Sequence, residues 1–217
     1  MIDLKRYQSV FFDCDGVILD SNQAKTNAFR EVLMNYPKEN VDKFIKYHQR
    51  NMGISRYGKF REFFSNINPD KDDEALIKKS IKDFSLITRM KLQECKIIPG
   101  VIDTLDHLMK KNVECYVVTG GDQEEVRYVF KQRKLDIYFR GIYGSPEDKF
   151  SNLKKIISSN EIKDPVFFGD SKVDLEVAKK YNLDFIYIYG ASEWTNGRRY
   201  CHKNGYRQIK NFKSVSF

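Results

Sequence analysis

The sequence predicts an α/β fold in which a parallel sheet is covered by helices and one all-helical segment is inserted after the first strand. Three observations carry this. Short apolar runs that end in glycine or aspartate recur along the second half of the chain and alternate with helical patterns there. No strand pattern occurs between Leu19 and Ile97, although apolar residues recur at helical spacing throughout that stretch. Ile98-Pro99-Gly100-Val101 then punctuates the chain where the alternation resumes. These breaks divide it into a core of residues 1–20 and 98–217 and a helical insert of residues 21–97.

Ser9-Val10-Phe11-Phe12 has the length and the β-branched and aromatic content of a buried strand, and Gly16 allows a sharp turn after it. Asp20 or Ser21 opens a helix with Ala24, Ala28, Val32 and Tyr36 on one face, which Pro37 ends. Phe44, Ile45 and Tyr47 continue the helical spacing until Asn51-Met52-Gly53. A third helix runs from Ser55 through Tyr57, Phe60, Phe63 and Phe64, and a fourth from about Asp72 to Glu94. Those aromatic residues read as the insert's own core. After Gly100, Leu105 and Leu108 mark a helix. Val113 to Thr119 is a strand, Asp122 begins a helix, and Gly141-Ile142-Tyr143 is a short strand. Lys149 to Ile157 is a helix, Pro165 to Phe168 a strand, Val173 to Tyr181 a helix and Phe185 to Ile188 a final strand.

At 217 residues, with 41% hydrophobic, 31% charged and 14% aromatic residues, the composition is that of a globular protein with a substantial core. No apolar run is long enough for a membrane span or a signal-peptide core, so a cytoplasmic protein without a membrane partner is expected. Cys14, Cys95, Cys115 and Cys201 lack zinc or disulfide spacing and read as reduced thiols. The net charge of +8 is local: Arg198, Arg199, Lys203, Arg207, Lys210 and Lys213 lie in a segment from Thr195 to Phe217 that has no acid, and +2 remains for the rest. A nucleic-acid partner is therefore weakly supported. Trp194 and this basic segment read either as a flap over the core or as a solvated terminus. His48, His107 and His202 each stand alone and read as surface or packing residues.

Asp13 and Asp15 follow the first strand directly, which puts two carboxylates where a parallel sheet opens into its ligand crevice. The strand from Val113 ends in Thr119-Gly120-Gly121. That from Pro165 ends in Gly169-Asp170-Ser171-Lys172-Val173-Asp174. Acids, a lysine, a threonine and glycine amides should converge on one sheet edge, an inventory suited to phosphoryl transfer: the negative oxygens need cations and oriented N–H groups.

In these motifs and their order the chain resembles the haloacid dehalogenase-like phosphatases, in the branch of phosphoglycolate phosphatase and β-phosphoglucomutase. Asp13-Cys14-Asp15-Gly16, Thr119, Lys149, and Gly169-Asp170 with Asp174 fit the four motifs. Pro99-Gly100-Val101 fits the return from a helical cap to the Rossmann-like core. The resemblance implies that Asp13 is the nucleophile that forms an aspartyl-phosphate, and Asp15 the general acid/base. It also implies that Mg²⁺ is held by Asp13, Asp170 and the Asp15 carbonyl with Asp174 in support, and that Thr119, Gly120 and Lys149 bind phosphate. An acid at position 15 points to phosphomonoester hydrolysis or a phosphosugar mutase rather than dehalogenation. Phe150 stands where proline commonly follows the motif lysine, so Lys154 and Lys155 are rivals to Lys149. A helical cap implies a small phosphorylated metabolite and argues against a nucleic-acid end-phosphatase.

Gly53-Ile54-Ser55-Arg56 lies where such enzymes carry a specificity loop, making Arg50, Ser55 and Arg56 candidate substrate contacts; Ser55 and Arg56 read equally as a helix cap and a surface arginine. Phe12 to Val17, Tyr47 to Asn51 and Ser55 to Tyr57 further resemble phosphatases of bacterial surface-polysaccharide pathways. That implies a sugar phosphate or a short amino-alcohol phosphate, such as ethanolamine or serinol phosphate, as substrate. Nothing in the sequence bears on oligomeric state.

Overall fold

A computed structural model of the chain describes residues 2–69 and 73–217. After a short strand β1 (Ile2–Asp3), the first strand of the main sheet is β2 (Ser9–Phe12). Four helices follow: α1 (Asn22–Val32), α2 (Lys38–Arg50), α3 (Arg56–Glu62), which widens into a π turn over Phe63–Ile67, and α4 (Glu74–Glu94). Then come α5 (Val101–Lys110), β3 (Glu114–Asp122), α6 (Gln123–Gln132), β4 (Gly141–Ser145), α7 (Lys149–Ser159), β5 (Pro165–Gly169), α8 (Lys172–Lys180), β6 (Asp184–Ile188), α9 (Gly197–Lys203), β7 (Arg207–Ile209) and β8 (Val215–Ser216). Asp72, the expected start of the fourth helix, lies outside the described residues; Asp73 caps α4 by accepting from the Ala75 amide at 2.8 Å.

The main sheet is parallel, in the order β4-β3-β2-β5-β6-β7. The chain leaves β2 toward β3 and β4, then crosses back to β5 on the other side. The crevice of this switch point opens at the C-terminal end of β2, directly at Asp13. All four β2 residues are buried because helices cover both faces, the expected consequence of a parallel sheet. Val10 and Phe12 pack with residues of α5 and α6, whereas Phe11 packs with residues of α7, α8 and α9. Phe12 stacks on Phe168 at 5.3 Å and Phe11 on Tyr116 at 5.2 Å. Each such ring contributes roughly 2 kcal/mol relative to exposure.

The structure corrects the expectation that Phe185–Ile188 is the final strand. β7 extends the sheet, and β8 pairs with β1 through Ile2↔Val215. Both are too short, and too exposed on their faces, to show an apolar period. The strand from Glu114 also runs past Thr119 to Asp122, with a register shift between Val118 and Asp122.

The chain crosses between the sheet and helices α1–α4 on two strips lying side by side. Leu19 bridges Ile97, Asp20 N donates to Lys96 O at 2.9 Å, and Ile98 N to Ile18 O at 2.9 Å. Helices α1 to α4 surround a separate cluster that includes Phe29, Phe44, Phe60, Phe63, Phe64 and Phe84. Among the described residues no helix is long and apolar enough to cross a membrane, and all four cysteines are free thiols.

Candidate active site

Ladder bonding continues one residue past β2, since Asp13 N donates to Phe168 O at 2.9 Å. This fixes the Asp13 carboxylate at the sheet edge, where its Oδ1 accepts from Cys14 N at 2.7 Å and lies 2.9 Å from Lys149 Nζ. Gly16 then turns at a positive φ of 77°. A Cβ there would meet Asp170 Oδ2 and Asn22 Nδ2, so glycine is required by conformation and by space.

Lys149 begins α7 and is buried between two acids, with Asp174 Oδ1 2.5 Å from its ammonium. Asp174 in turn closes a capping box on α8: Ser171 Oγ and the Ser171 amide donate to its Oδ2 at 2.6 and 3.0 Å. Asp170 accepts from Asn22 Nδ2 at 2.6 Å. Carboxylate oxygens of Asp13, Asp170 and Asp174 lie within 4.8 Å of one another, all buried. Burial pushes the Asp13 carboxyl up to about 7 against the pull of Lys149, with Asp174 and Asp15 adding repulsion. Burial, then Asp13 and Asp174, drives Asp170 in the same direction. Three acids around one lysine leave excess negative charge in a dry pocket with an all-oxygen donor set. A small hard cation such as Mg²⁺ fits it.

Asp15 faces differently. Burial would raise its carboxyl, but Lys25 and Ser21 outweigh that and hold it below the usual range; Lys25 Nζ and Ser21 Oγ each approach at 2.5 Å. Its side chain stands outside the acidic triad, so any contact with a cation there is left to its backbone carbonyl.

Thr119 is fully buried, and its Oγ1 accepts from Gly121 N at 3.0 Å. Gly120 packs backbone to backbone against the turn before α3, where a Cβ would meet Gly53 O. Gly53 itself has φ 87° and lies against Val173 and Ser171. The helical segment is therefore seated on the sheet edge and encloses a cavity lined by Asp13, Asp15, Asp170, Gly120 and Gly121 from below. Lys25, His48, Arg56 and Lys59 line it from the helices.

The structure thus brings Asp13, Asp15, Thr119, Gly120, Lys149, Asp170, Asp174 and Arg56 to one locus. Lys154 and Lys155 are exposed on α7. Arg50 is exposed at the end of α2 and does not line the cavity, because it sits on the face opposite Val41, Phe44, Ile45 and His48. Ser55 caps α3 by accepting from Gly58 N. Arg56 is no surface arginine: it is 4% exposed, pairs with Glu125 of α6, donates to Ser85 Oγ at 2.7 Å and lies over the Phe84 ring.

Sequence reasoning missed Lys25, Lys59 and the role of His48. The last, expected at the surface or in packing, is buried and lines the cavity. Its Nδ1 lies 2.8 Å from Lys59 Nζ and its Nε2 3.0 Å from Thr26 Oγ1; Thr26 Oγ1 donates to Glu193 Oε2 at 2.6 Å. The available signal was helical period: His48 falls on the face of Phe44, and Lys59 on that of Phe60 and Phe63. Burial, then Lys59 and Lys25, pushes the His48 imidazole down to about 2. Below about pH 6.5 the unfolded chain therefore takes up a proton at His48 that the folded chain does not, and stability is lost as pH falls. The melting temperature of His48→Gln relative to wild type should accordingly rise between pH 7 and pH 5, the contributions of Asp13 and Asp170 being common to both proteins.

A parallel sheet with an acidic triad, a buried lysine and a Thr-Gly-Gly strand end at its switch point defines a class of α/β proteins whose site is built from aspartates. The family described as haloacid dehalogenase-like hydrolase matches residues 10–188, and the chain belongs to it. Similar proteins include Phosphoglycolate phosphatase 1 of Pseudomonas aeruginosa, 27% identical over 78% of this chain and 65% of its own length. Phosphorylated carbohydrates phosphatase of Thermotoga maritima is 26% identical over 83% of this chain and 84% of its own. The chain therefore spans just under two thirds of the first relative and most of the second. In fold it is similar to β-phosphoglucomutase from Clostridium difficile, with TM-score 0.73, 14% identity and coverage of 100% and 94%. A hydrolase from Pseudomonas syringae gives 0.72 at 19% identity, with coverage of 95% and 94%.

Proposed function

We propose that the chain is a Mg²⁺-dependent phosphomonoesterase acting on a small phosphorylated metabolite, with residues 21–97 as a cap over a core of residues 1–20 and 98–217. The observation that carries this is the Asp13 carboxylate, held at the switch point against Lys149 and within metal-bridging reach of Asp170 and Asp174. Phosphatase names among its relatives support the same activity. Asp13 attacks phosphorus in line and becomes an aspartyl-phosphate. Thr119, the Gly120 amide and Lys149 hold the phosphoryl oxygens in an arrangement present before substrate arrives. Asp13, Asp170 and the Asp15 carbonyl would hold Mg²⁺, which supplies charge neutralisation at the phosphoryl group when bound. Asp174 fixes Lys149 and the start of α8. Asp15 removes a proton from the hydrolytic water as a carboxylate. Its earlier duty, protonating the leaving alkoxide, requires the Lys25 contact to loosen, since that contact holds it ionised.

Cationic side chains around the leaving-group space favour a sugar phosphate over an amino-alcohol phosphate, whose ammonium would face Lys59. A role in surface-polysaccharide precursor synthesis is compatible with a sugar phosphate. The test is a panel of sugar, polyol and amino-alcohol phosphates, assayed for free phosphate with MgCl₂ and with EDTA. Mg²⁺-dependent release from sugar phosphates is expected. Formation of an isomeric sugar phosphate without free phosphate would replace hydrolysis by a mutase.

A further inference from the structure

Two lysines and an arginine line the cavity, and two of the three are already paired. Lys25 lies on Asp15 and Arg56 on Glu125, a pair that Thr88 Oγ1 completes by donating to Glu125 Oε1 at 2.8 Å. Lys59, which is 4% exposed, has no carboxylate within ion-pairing distance among the described residues. Among the described residues the one hydrogen-bond partner of its ammonium is His48 Nδ1. Burying an ammonium without a counter-ion is costly unless an anion arrives to pair with it.

The bonds around Lys59 run in one direction. Thr26 Oγ1 spends its single proton on Glu193, so it accepts from His48 Nε2–H, which leaves Nδ1 as the acceptor for Lys59 Nζ. This relay reaches from α3 through α2 and α1 to the loop after β6. It holds Lys59 at the cavity wall through one N–H group, and the ammonium also lies over the Phe29 ring, 5.8 Å from its centroid. Burial, and then the neighbouring Lys25, pushes the Lys59 ammonium down to about 7.

We propose that Lys59 is a specificity residue that binds a second anionic group, a carboxylate or a second phosphate, on the leaving alcohol of the substrate, with Glu193, Thr26 and His48 as positioning residues. This rests on the phosphomonoesterase reading and narrows it to phosphoesters whose alcohol is itself an acid.

Two substrate pairs test it on the wild-type protein with MgCl₂: glycerol 3-phosphate against 3-phosphoglycerate, and fructose 1-phosphate against fructose 1,6-bisphosphate, with p-nitrophenyl phosphate as a general substrate. The acid-bearing member of one pair should be preferred by about tenfold or more in kcat/KM, as a charge-assisted hydrogen bond implies, and the preferred pair identifies the anion. Lys59→Met should abolish that preference by raising KM for the acid-bearing member far more than for its uncharged counterpart, and Lys59→Arg should restore part of it. Turnover of p-nitrophenyl phosphate with no charge preference in either pair overturns this inference alone. A Lys59→Met loss equal for both members of a pair overturns it too. Absence of phosphate release from every compound overturns the phosphomonoesterase reading, and this inference with it.

Discussion

Asp13→Asn is expected to abolish turnover, lowering kcat by at least about 10⁴-fold, because an amide cannot form the acyl phosphate and no neighbour can substitute. Asp15 points toward Lys25, Asp170 is held by Asn22, and Asp174 is occupied by Lys149 and Ser171. The variant should nonetheless fold. Asn occupies the same volume, and removing one of three buried acids around Lys149 relieves repulsion. Its melting temperature without metal should match or exceed that of wild type, while the rise produced by MgCl₂ should shrink, since a cation bound only to the folded state stabilises in proportion to its affinity. Phosphate release and thermal shift on one preparation separate the chemical loss from a folding defect. Substantial activity in the variant would remove Asp13 from the mechanism.

Lys149→Met should be costly to stability and activity alike. The side chain is about 1% exposed and bridges Asp13 at 2.9 Å and Asp174 at 2.5 Å. Methionine keeps the stem but leaves two buried carboxylates without their cation, a defect of about 3–5 kcal/mol, or a fall in melting temperature of roughly 6–20 °C. MgCl₂ should recover part of that loss by replacing positive charge at the triad. Activity should fall about 10²- to 10³-fold with the loss of one preorganised phosphate donor. Lys154→Met is the control. That side chain is exposed on the same helix, and its replacement should shift stability by no more than about 0.5 kcal/mol and leave kcat unchanged. Equal effects at the two positions would return Lys154 to candidacy.

Much of the sheet was legible because parallel strands are buried on both faces and must be apolar along their whole length. Ser9–Phe12 has the same bounds in sequence and structure, and Pro165–Gly169 differs by one residue. β7 was not legible: three residues at the sheet edge, two of them partly exposed, need no apolar run. The helices of the insert were legible through their 3.6-residue period, but the meaning of polar residues on their buried faces was not. His48 and Lys59 sit where the period demands apolar side chains, which marks them as special without saying what they meet. Arg56 drew notice through its neighbouring glycine turn. Its partner Glu125 lies on a helix 69 residues further on, a pairing that no local pattern encodes.

What the sequence determined by itself is the chemistry of the sheet edge. A residue that follows a buried parallel strand can only emerge at that strand's C-terminal end, so strand order and motif order together bring Asp13, Thr119, Lys149, Asp170 and Asp174 to one place. Tertiary structure alone decided how the leaving-group side of the cavity is charged. Helices α1 to α3 and the loop after β6 meet there across long stretches of chain, and only their packing fixes which cations are neutralised. Lys25 and Arg56 find acids in that packing, and among the described residues Lys59 finds none.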